Sequence, residues 1–547
     1  MKDTVSSDPP LRPAHDVMRL ARMGLMMPTR LSFLRVLTRR LCAEGARVER
    51  THWDICAEGF GTAVHKLHLG GRDYALISVS KPLDDDARSD RVIATAWDAA
   101  FVLFDGVPGD ADIARVADQA PKQEAGRFGP RDLVLSRANK SMRLWSEIVD
   151  ALRAGHQPSA ARIGDIGYIM RTTAVYGNGK FGIADRHLIA DRPELSGAFA
   201  AEMLAVYLIR QFSLDLVQHV GRGTLDRNLA RHIGVGNATG LGMAPFLVTH
   251  PVLLNNWMVA RETALARVRA VQELSVETRA RVAELAQRVT GHLSQWHVPS
   301  VEDETALRDL EAEWQAFQPL LAHLPDQCPF EHLWFAAQSG SLALQELVVA
   351  LLIELNGDIV DGLSECMIDP FGPTLHPFRD TGAVRAAIEQ DWAWALDIDF
   401  DEADACRRFW YVSADKLEPR LGDRFAEEGA ELETPLDIAR RVAAAYADLP
   451  AADQPVSAFL RAYPQHKHGL DRVATCARHP YSEIRDNLIA TTCRPIDMLR
   501  CKLSFFGATK FDPKSDLWTR ITLAQGAPLG DELTDERDDW WLPVLTP

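Results

Sequence analysis

The stretch that decides the fold is TAVHKLHLGGRDYALISVS, residues 62–80. Two runs rich in β-branched, aromatic and other apolar residues flank the pair Gly70-Gly71. Two adjacent glycines are typical of the tight turn between antiparallel strands, because both central positions of that turn need a positive φ. The stretch therefore predicts a β-hairpin in this part of the chain.

A second β-hairpin is predicted over residues 165–186, which include RTTAVYGNGKFGIADR at 171–186. Thr172, Ala174 and Tyr176 alternate with their neighbours in the period of two that is typical of a strand. Asn178-Gly179 is a favoured pair for the turn of a hairpin. Two further strands are predicted near the carboxyl end, over residues 499–511 and 517–529.

Most of the remaining chain repeats apolar residues at helical spacing. The middle of the chain contains long runs of this kind at residues 197–220, 251–274 and 304–324, and a further one at 342–355. Residues 88–104 also predict a helix. Thr434-Pro435 predicts a helix start, because threonine is a good N-cap and proline suits the first helical position.

These patterns predict an α+β fold dominated by helix, with small antiparallel β-hairpin units around a central helical region. The length of 547 residues exceeds what one core usually serves, which indicates several domains. The predicted segments are a disordered tail with a basic amphipathic helix, an α+β unit with the hairpins, a mainly helical region and a mixed carboxyl-terminal region. Their respective bounds are residues 1–45, 46–190, 191–365 and 366–547.

The overall charge argues against nucleic acid as a partner. The chain has 60 basic and 76 acidic residues, for a net charge of −16, and this field repels polyanions. No run of eighteen apolar residues predicts a transmembrane helix, and the amino-terminal residues lack the apolar core of an export signal. The sequence therefore predicts a cytoplasmic protein, and it leaves self-association open.

The beginning of the chain departs from this acidic character. Residues 11–50 contain nine arginines against three acidic residues, Asp16, Glu44 and Glu49. One interpretation is an amphipathic helix that docks on the acidic body of the protein. The other is attraction to an anionic ligand or membrane surface.

The glycine-rich stretches at 171–186 and 234–245 predict a site for a small anion. Glycines let a ligand approach the backbone closely, and arginine binds carboxylates and phosphates with two parallel hydrogen bonds. The predicted ligand-binding residues are Arg171, Lys180, Arg186, Gly236, Asn237, Thr239 and Gly240. The predicted proton carriers are Tyr176, His232 and His250.

Both stretches also have interpretations that need no ligand. The first is explained by a hairpin turn with solvated arginines. The second, GVGNATGLGMAP, is explained by a helix end at Gly234 followed by a loop. Its glycine spacing resembles a dinucleotide fingerprint, but no strand is predicted immediately before it, as that fingerprint requires.

A metal site is not predicted. His466, His468, Cys476 and His479 offer nitrogen and sulfur ligands, but their spacing fits no zinc motif, and whether they bind metal is left open. The sequence identifies no cofactor.

The function that the sequence favours is a cytoplasmic enzyme acting on a small carboxylate- or phosphate-bearing molecule, with the reaction unspecified. One alternative is a helical binding or scaffold protein in which the glycine-rich stretches are only turns. A second alternative is an oxidoreductase that holds a nucleotide cofactor at 234–242.

Overall fold

The computed structural model describes residues 9–84, 87, 96–121, 129–172, 182–183, 189, 191–240, 250–298, 301–368, 377–401, 435–484, 496–515, 518–534 and 540–545. Within these residues helix predominates over strand, and the strands form one mixed sheet. The prediction of a helix-dominated α+β fold is therefore confirmed.

Ten strands form the sheet, in the order β1-β2-β3-β4-β5-β6-β8-β10-β9, with β7 paired to β5. The neighbours run antiparallel except for β6 and β8, which are parallel. The strands are β1 Glu49–Ile55, β2 Gly61–Leu69, β3 Arg72–Ser80, β4 Ala99–Asp105, β5 Asp132–Lys140, β6 Tyr168–Thr172, β7 Gly182–Ile183, β8 Gly234–Gly240, β9 Lys510–Ser515 and β10 Trp518–Leu523.

The helices before β8 are α1 Ala14–Val17, α2 Leu20–Met23, α3 Phe33–Ala43, α4 Asp110–Gln119, α5 Trp145–Arg153, α6 Ala160–Ile166, α7 Ala200–Gly221 and α8 Arg227–His232. The helices between β8 and residue 402 are α9 Pro251–Arg269, α10 Val276–Gln295, α11 Val301–Ala322, α12 Pro329–Ala337, α13 Leu342–Leu355, α14 Gly357–Val360, α15 Thr381–Asp391 and α16 Ala393–Leu396. The last group is α17 Pro435–Asp448, α18 Val456–Ala462, α19 Lys467–Arg478, α20 Asp497–Arg500 and α21 Lys502–Phe506. Short 3-10 helices lie at Pro193–Leu195, Asp361–Cys366 and Pro464–His466.

The predicted hairpin at 62–80 is confirmed. β2 and β3 pair antiparallel from Gly61–Ser80 to Leu69–Arg72. Gly70 and Gly71 have φ values of 59° and 78°, as a two-residue turn with positive φ at both positions requires.

Helices cover both faces of the sheet. α7 crosses one face, where it packs on β2 to β6 and β8, and its other side packs on α3. Most of its residues are buried, which is why its sequence is apolar almost all round. α4 packs on the opposite face, where Ile77 and Val102 alternate with residues that point towards α7.

The basic amino-terminal segment docks on acidic side chains of the helical region. Arg12 donates two hydrogen bonds of 2.7 Å to the buried Glu262, and Arg22 donates one of 2.7 Å to the buried Glu346. Further ion pairs of this kind include Arg12–Glu346, Arg30–Asp361, Arg30–Glu354, Arg35–Glu354 and Arg39–Asp361. These contacts support the docking interpretation. The predicted disordered tail is wrong at Arg12, which is half-buried and held in this network. Residues 1–8 lie outside the described residues.

Two predicted elements of the amino-terminal half are wrong. Residues 99–105 form strand β4 instead of continuing a helix from 88, because β4 is central in the sheet and apolar on both faces. The hairpin predicted at 165–186 is not formed between β6 and β7, since both strands pair with β5. The first residues of this predicted hairpin instead belong to the end of α6, which terminates at Gly167 with a φ of 79°. The predicted turn at Asn178-Gly179 lies outside the described residues.

The stretch from Gly234 is a central strand, β8. A helix does end just before it, since α8 ends at His232, but the loop that was expected to follow is wrong over Gly234–Gly240. A Cβ atom added to Gly236 would lie 2.6 Å from the ring of Tyr168, and one added to Gly234 would lie 2.3 Å from the carbonyl oxygen of Leu523. Close packing within the sheet therefore explains these two glycines. Residues 241–245 lie outside the described residues.

The carboxyl-terminal predictions are partly correct. α17 begins at Pro435 as predicted, and β10 confirms a strand within 517–529. The strand predicted at 499–511 is wrong over Lys502–Phe506, a short helix that ends at Gly507 with a φ of 79°. The one sheet takes strands from three of the four predicted segments. The division of the chain into those segments stays a prediction.

Candidate functional site

A cavity of about 370 Å³ lies between α8, α10 and the carboxyl-terminal residues 540–545. This volume falls within the range of about 300–1,000 Å³ that is usual for small-molecule sites. We call it the outer cavity. Its lining residues are Asn228, Arg231, His232, Glu284, Gln287, Arg288, Gly526, Trp540, Pro543, Val544 and Leu545.

Among the described residues that line the outer cavity, Arg231 and Arg288 carry guanidinium groups and Glu284 carries a carboxylate. Arg288 donates a hydrogen bond of 3.0 Å to Glu284 one turn earlier on α10, and the Glu284 side chain is 62% exposed. Arg231 donates a hydrogen bond of 3.3 Å to the carbonyl oxygen of Gly526 and lies 3.6 Å from Glu532. The Glu284 side of this pair is exposed, and ion pairs of this kind contribute only about 0–1 kcal/mol.

A smaller cavity of about 20 Å³ adjoins the outer one, and His232 and Pro543 border both. We call it the inner chamber. A space of roughly 10–15 Å³ or more can hold one water molecule if polar groups surround it. The residues that line the inner chamber are Gly164, His232, His292, Gln295, Trp296, Thr509, Lys510, Gln525 and Pro543.

The two histidines of the inner chamber are neutral at neutral pH. Burial, aided by the neighbouring His292, Lys510 and Arg210, lowers the pKa of His232 to about 3. Burial likewise lowers the pKa of His292 to about 4. A neutral imidazole has one donor and one acceptor nitrogen, so each ring can accept a proton or a hydrogen bond.

The tautomer of His292 follows from its hydrogen bond. Nδ1 lies 3.1 Å from the carbonyl oxygen of Pro543, and since a carbonyl only accepts, Nδ1 carries the hydrogen. Nε2 is then the acceptor. It is buried and has no hydrogen-bond partner among the residues that the structure describes. A buried acceptor of this kind is usually satisfied by water.

Lys510 brings a positive charge to the inner chamber. Its Nζ donates a hydrogen bond of 3.0 Å to the carbonyl oxygen of Gly164 and another to that of Asp165, at the end of α6. Burial lowers its pKa to about 8, against the opposing effect of Asp165 and Asp512. Lysine has three N–H donors, so these two bonds leave one for a group in the chamber.

The wall formed by residues 540–545 is fixed to α10. Gln295 donates a hydrogen bond of 3.0 Å to the carbonyl oxygen of Leu545 and accepts another of 3.0 Å from its backbone N–H. With the His292–Pro543 contact, these bonds hold both cavities against one helix. Preorganised walls of this kind reduce the cost of ligand binding.

The structure brings only some of the predicted site residues together. Arg171 on β6 is the Cα partner of Gly236 on β8, so it lies beside Asn237 as expected. The Asn237 amide donates a hydrogen bond of 2.8 Å to the carbonyl oxygen of Thr172, and its Oδ1 accepts one of 2.9 Å from the buried Lys502. These polar contacts are internal to the protein, and a ligand-binding role for Arg171, Gly236 and Asn237 stays a prediction.

The two predicted proton-carrying histidines have different surroundings. His232 ends α8 just before β8. His250 precedes α9, and its ring packs against Phe199 with a centroid distance of 5.6 Å. His232 alone lines the cavities. Tyr176, Lys180, Arg186 and the side chain of Thr239 lie outside the described residues, and Gly240 ends β8.

Three lining residues, Arg231, Arg288 and His292, were not predicted from the sequence. They come from α8 and α10, which β8 and α9 separate in sequence. No local motif signals their convergence. The one available signal was that Arg288 and His292 are four residues apart and share a helix face.

The structure also bears on metal binding and on membrane spans. No group of three or more His, Cys, Asp or Glu side chains in the described ranges is arranged to hold a metal ion. His466 instead lies 2.7 Å from Asp448. Nor does any helix within those ranges have the length and apolar character needed to cross a bilayer.

The chain matches no protein-family model, no curated protein and no solved structure. We therefore infer its function from the two cavities and their lining residues.

Proposed function

We propose that the protein is a cytoplasmic enzyme that acts on a small carboxylate- or phosphate-bearing molecule bound in the outer cavity. The observation that carries this proposal is the convergence of Arg231, Arg288 and His232 on one cavity of about 370 Å³. Guanidinium groups bind carboxylates and phosphates with two parallel hydrogen bonds, and the neutral imidazole supplies a proton acceptor beside them.

The binding groups differ from those that the sequence favoured. Arg231 and Arg288 take the role proposed for the arginines around 171–186, while His232 keeps its proposed role. The space between these side chains has the volume of a small-molecule site. This volume supports the enzyme over the scaffold alternative.

The first experiment identifies a ligand. Thermal unfolding of the full chain is followed with inorganic phosphate, succinate and sugar phosphates, because a ligand that binds only the folded state raises the unfolding temperature. The strongest binder is then titrated calorimetrically into the wild type and two arginine variants.

Arg288→Ala is expected to weaken binding by roughly 10- to 150-fold, which corresponds to the loss of about 1.5–3 kcal/mol for hydrogen bonds to a charged group. Arg279→Ala is the matched control, because Arg279 lies on the same helix but pairs with Asp326 outside the cavity. Equal affinities in all three proteins would refute the proposed site.

A further inference from the structure

The inner chamber supplies what a hydrolytic reaction needs beside the anion site. It has room for one water molecule, and it is bordered by His292, whose Nε2 is a hydrogen-bond acceptor. His232 and Pro543 border both cavities, so a molecule in the outer cavity lies next to the chamber. The buried Nε2 of His292 is the group that such a water would satisfy by donating a hydrogen bond.

We propose that the inner chamber holds a single water molecule, oriented by His292, that hydrolyses an ester of the anionic molecule bound in the outer cavity. This inference rests on the proposed function, since the anion site would hold the substrate. The substrate class is a small carboxylic ester with a second, charged carboxylate or phosphate group. The charged group pairs with Arg231 and Arg288, and the ester carbonyl faces His232 and the chamber.

In the first step the water oxygen forms a bond to the carbonyl carbon, and a water proton passes to His292 Nε2. The carbonyl oxygen takes up the negative charge, which the remaining N–H of Lys510 stabilises. When the carbonyl double bond forms again, the bond from carbon to the alcohol oxygen breaks. The proton moves from His292 to that oxygen, so the products are a carboxylic acid and an alcohol, and the imidazole is neutral again.

The surroundings of His292 suit a base that is active only with substrate bound. The Pro543 carbonyl fixes the ring and its tautomer, as the third member of an activated-nucleophile arrangement does. In the free protein, burial and the charge of Lys510 keep the pKa of His292 low. A bound anion near both imidazoles raises their pKa and so strengthens the base.

The test uses mono-4-nitrophenyl succinate, an ester with a free carboxylate, and 4-nitrophenyl acetate, which has none. Release of 4-nitrophenolate is followed with the full-length wild type. The anionic ester is expected to be hydrolysed with the higher kcat/KM. His292→Gln is expected to lower kcat by about 100-fold or more, the usual contribution of a positioned base, with little change in KM. Arg288→Ala is expected to raise KM.

His323→Gln is the matched control for the base. The Nδ1 atom of His323 also contacts a proline carbonyl, that of Pro319 at 2.9 Å, but the residue is exposed and outside both cavities. Its kcat should equal that of the wild type. Unchanged kcat in His292→Gln, or no turnover above buffer while succinate still binds, would overturn the inference and leave the proposed anion site intact. Loss of succinate binding in the wild type would overturn both.

A high-resolution crystal structure of the wild type gives a check that does not depend on any variant folding. A water oxygen is expected at about 2.7–3.2 Å from His292 Nε2, the usual hydrogen-bond range. A chamber closed by side chains, with no water at that nitrogen, would contradict the mechanism even if anions bind outside.

Discussion

At the scale of single residues, the buried histidines make stability depend on pH. Both His232 and His292 have pKa values lowered by burial, to about 3 and about 4, whereas an unfolded chain gives histidine a pKa near 6.5. Between these values the unfolded state binds protons that the folded state does not. Stability is therefore complete above pH 6.5 and falls as the pH decreases from about 6.5 towards 4.

The expected loss is about 1.4 kcal/mol per pH unit for each histidine while the difference in protonation lasts. Urea unfolding at pH 7.0 and pH 5.0 measures it, and His292→Gln should reduce the difference between the two pH values. His323→Gln, an exposed residue, should leave that difference unchanged. A wild type whose stability is equal at both pH values would show that the imidazoles are not buried in neutral form.

A second prediction at this scale concerns Gly236. A Cβ atom at this position would lie 2.6 Å from the Tyr168 ring, so Gly236→Ala should cost about 1–3 kcal/mol of the free energy of unfolding, the usual effect of overpacking. Gly362→Ala is the control, because a Cβ atom there meets nothing within 4 Å. If Gly236→Ala keeps full stability and loses only ligand binding, the glycine serves a ligand and not the sheet.

At the scale of elements, the buried ion pairs hold the amino-terminal segment to α9 and α13. Arg12 connects to Glu262 and Glu346, both with fully buried side chains. Without Arg12, Glu262 keeps Arg261 as a partner and Glu346 keeps Arg261 and Arg22. Arg12→Ala should therefore lower the free energy of unfolding by roughly 1.5–3 kcal/mol, the scale of hydrogen bonds to a charged group. The exposed Arg19→Ala should change it by less than about 0.5 kcal/mol.

Vesicle binding separates this docking role from membrane attraction. Neither Arg12→Ala nor Arg19→Ala should alter the partition of the protein onto vesicles with anionic lipid, because the buried arginines serve internal carboxylates. Salt-sensitive partition that either variant abolishes would restore the membrane interpretation of the basic start.

Elements with local signals could be predicted from sequence, and elements defined by their neighbours could not. The hairpin at 62–80 and the helix start at Pro435 depend on turn and cap chemistry that is contained in a few residues. β4 and β8 lack such signals. β4 is apolar on both faces, and in β8 the close approach of Tyr168 to Gly236 and of Leu523 to Gly234 explains two of the glycines. Only the sheet around these segments determines that they are strands.

At the scale of the whole molecule, the sheet takes its strands from distant parts of the chain, and so do the cavities. β8 and β10 pair although Gly240 and Trp518 are far apart in sequence. The outer cavity is lined by residues of α8 and α10, by Gly526 and by residues within 540–545, so no local sequence motif predicts it. Of the residues that line this cavity, His232 was predicted from the sequence, whereas Arg231 and Arg288 were not.

The measurement that tests the anion site most directly is an anomalous difference map from crystals grown with selenate, a tetrahedral oxyanion with a strong X-ray signal. The account predicts a selenium peak in the outer cavity, with selenate oxygens at about 2.7–2.9 Å from the guanidinium nitrogens of Arg231 or Arg288. The peak should disappear in Arg288→Ala and remain in Arg279→Ala. A peak beside Arg171 and Asn237, with none in the outer cavity, would contradict the account.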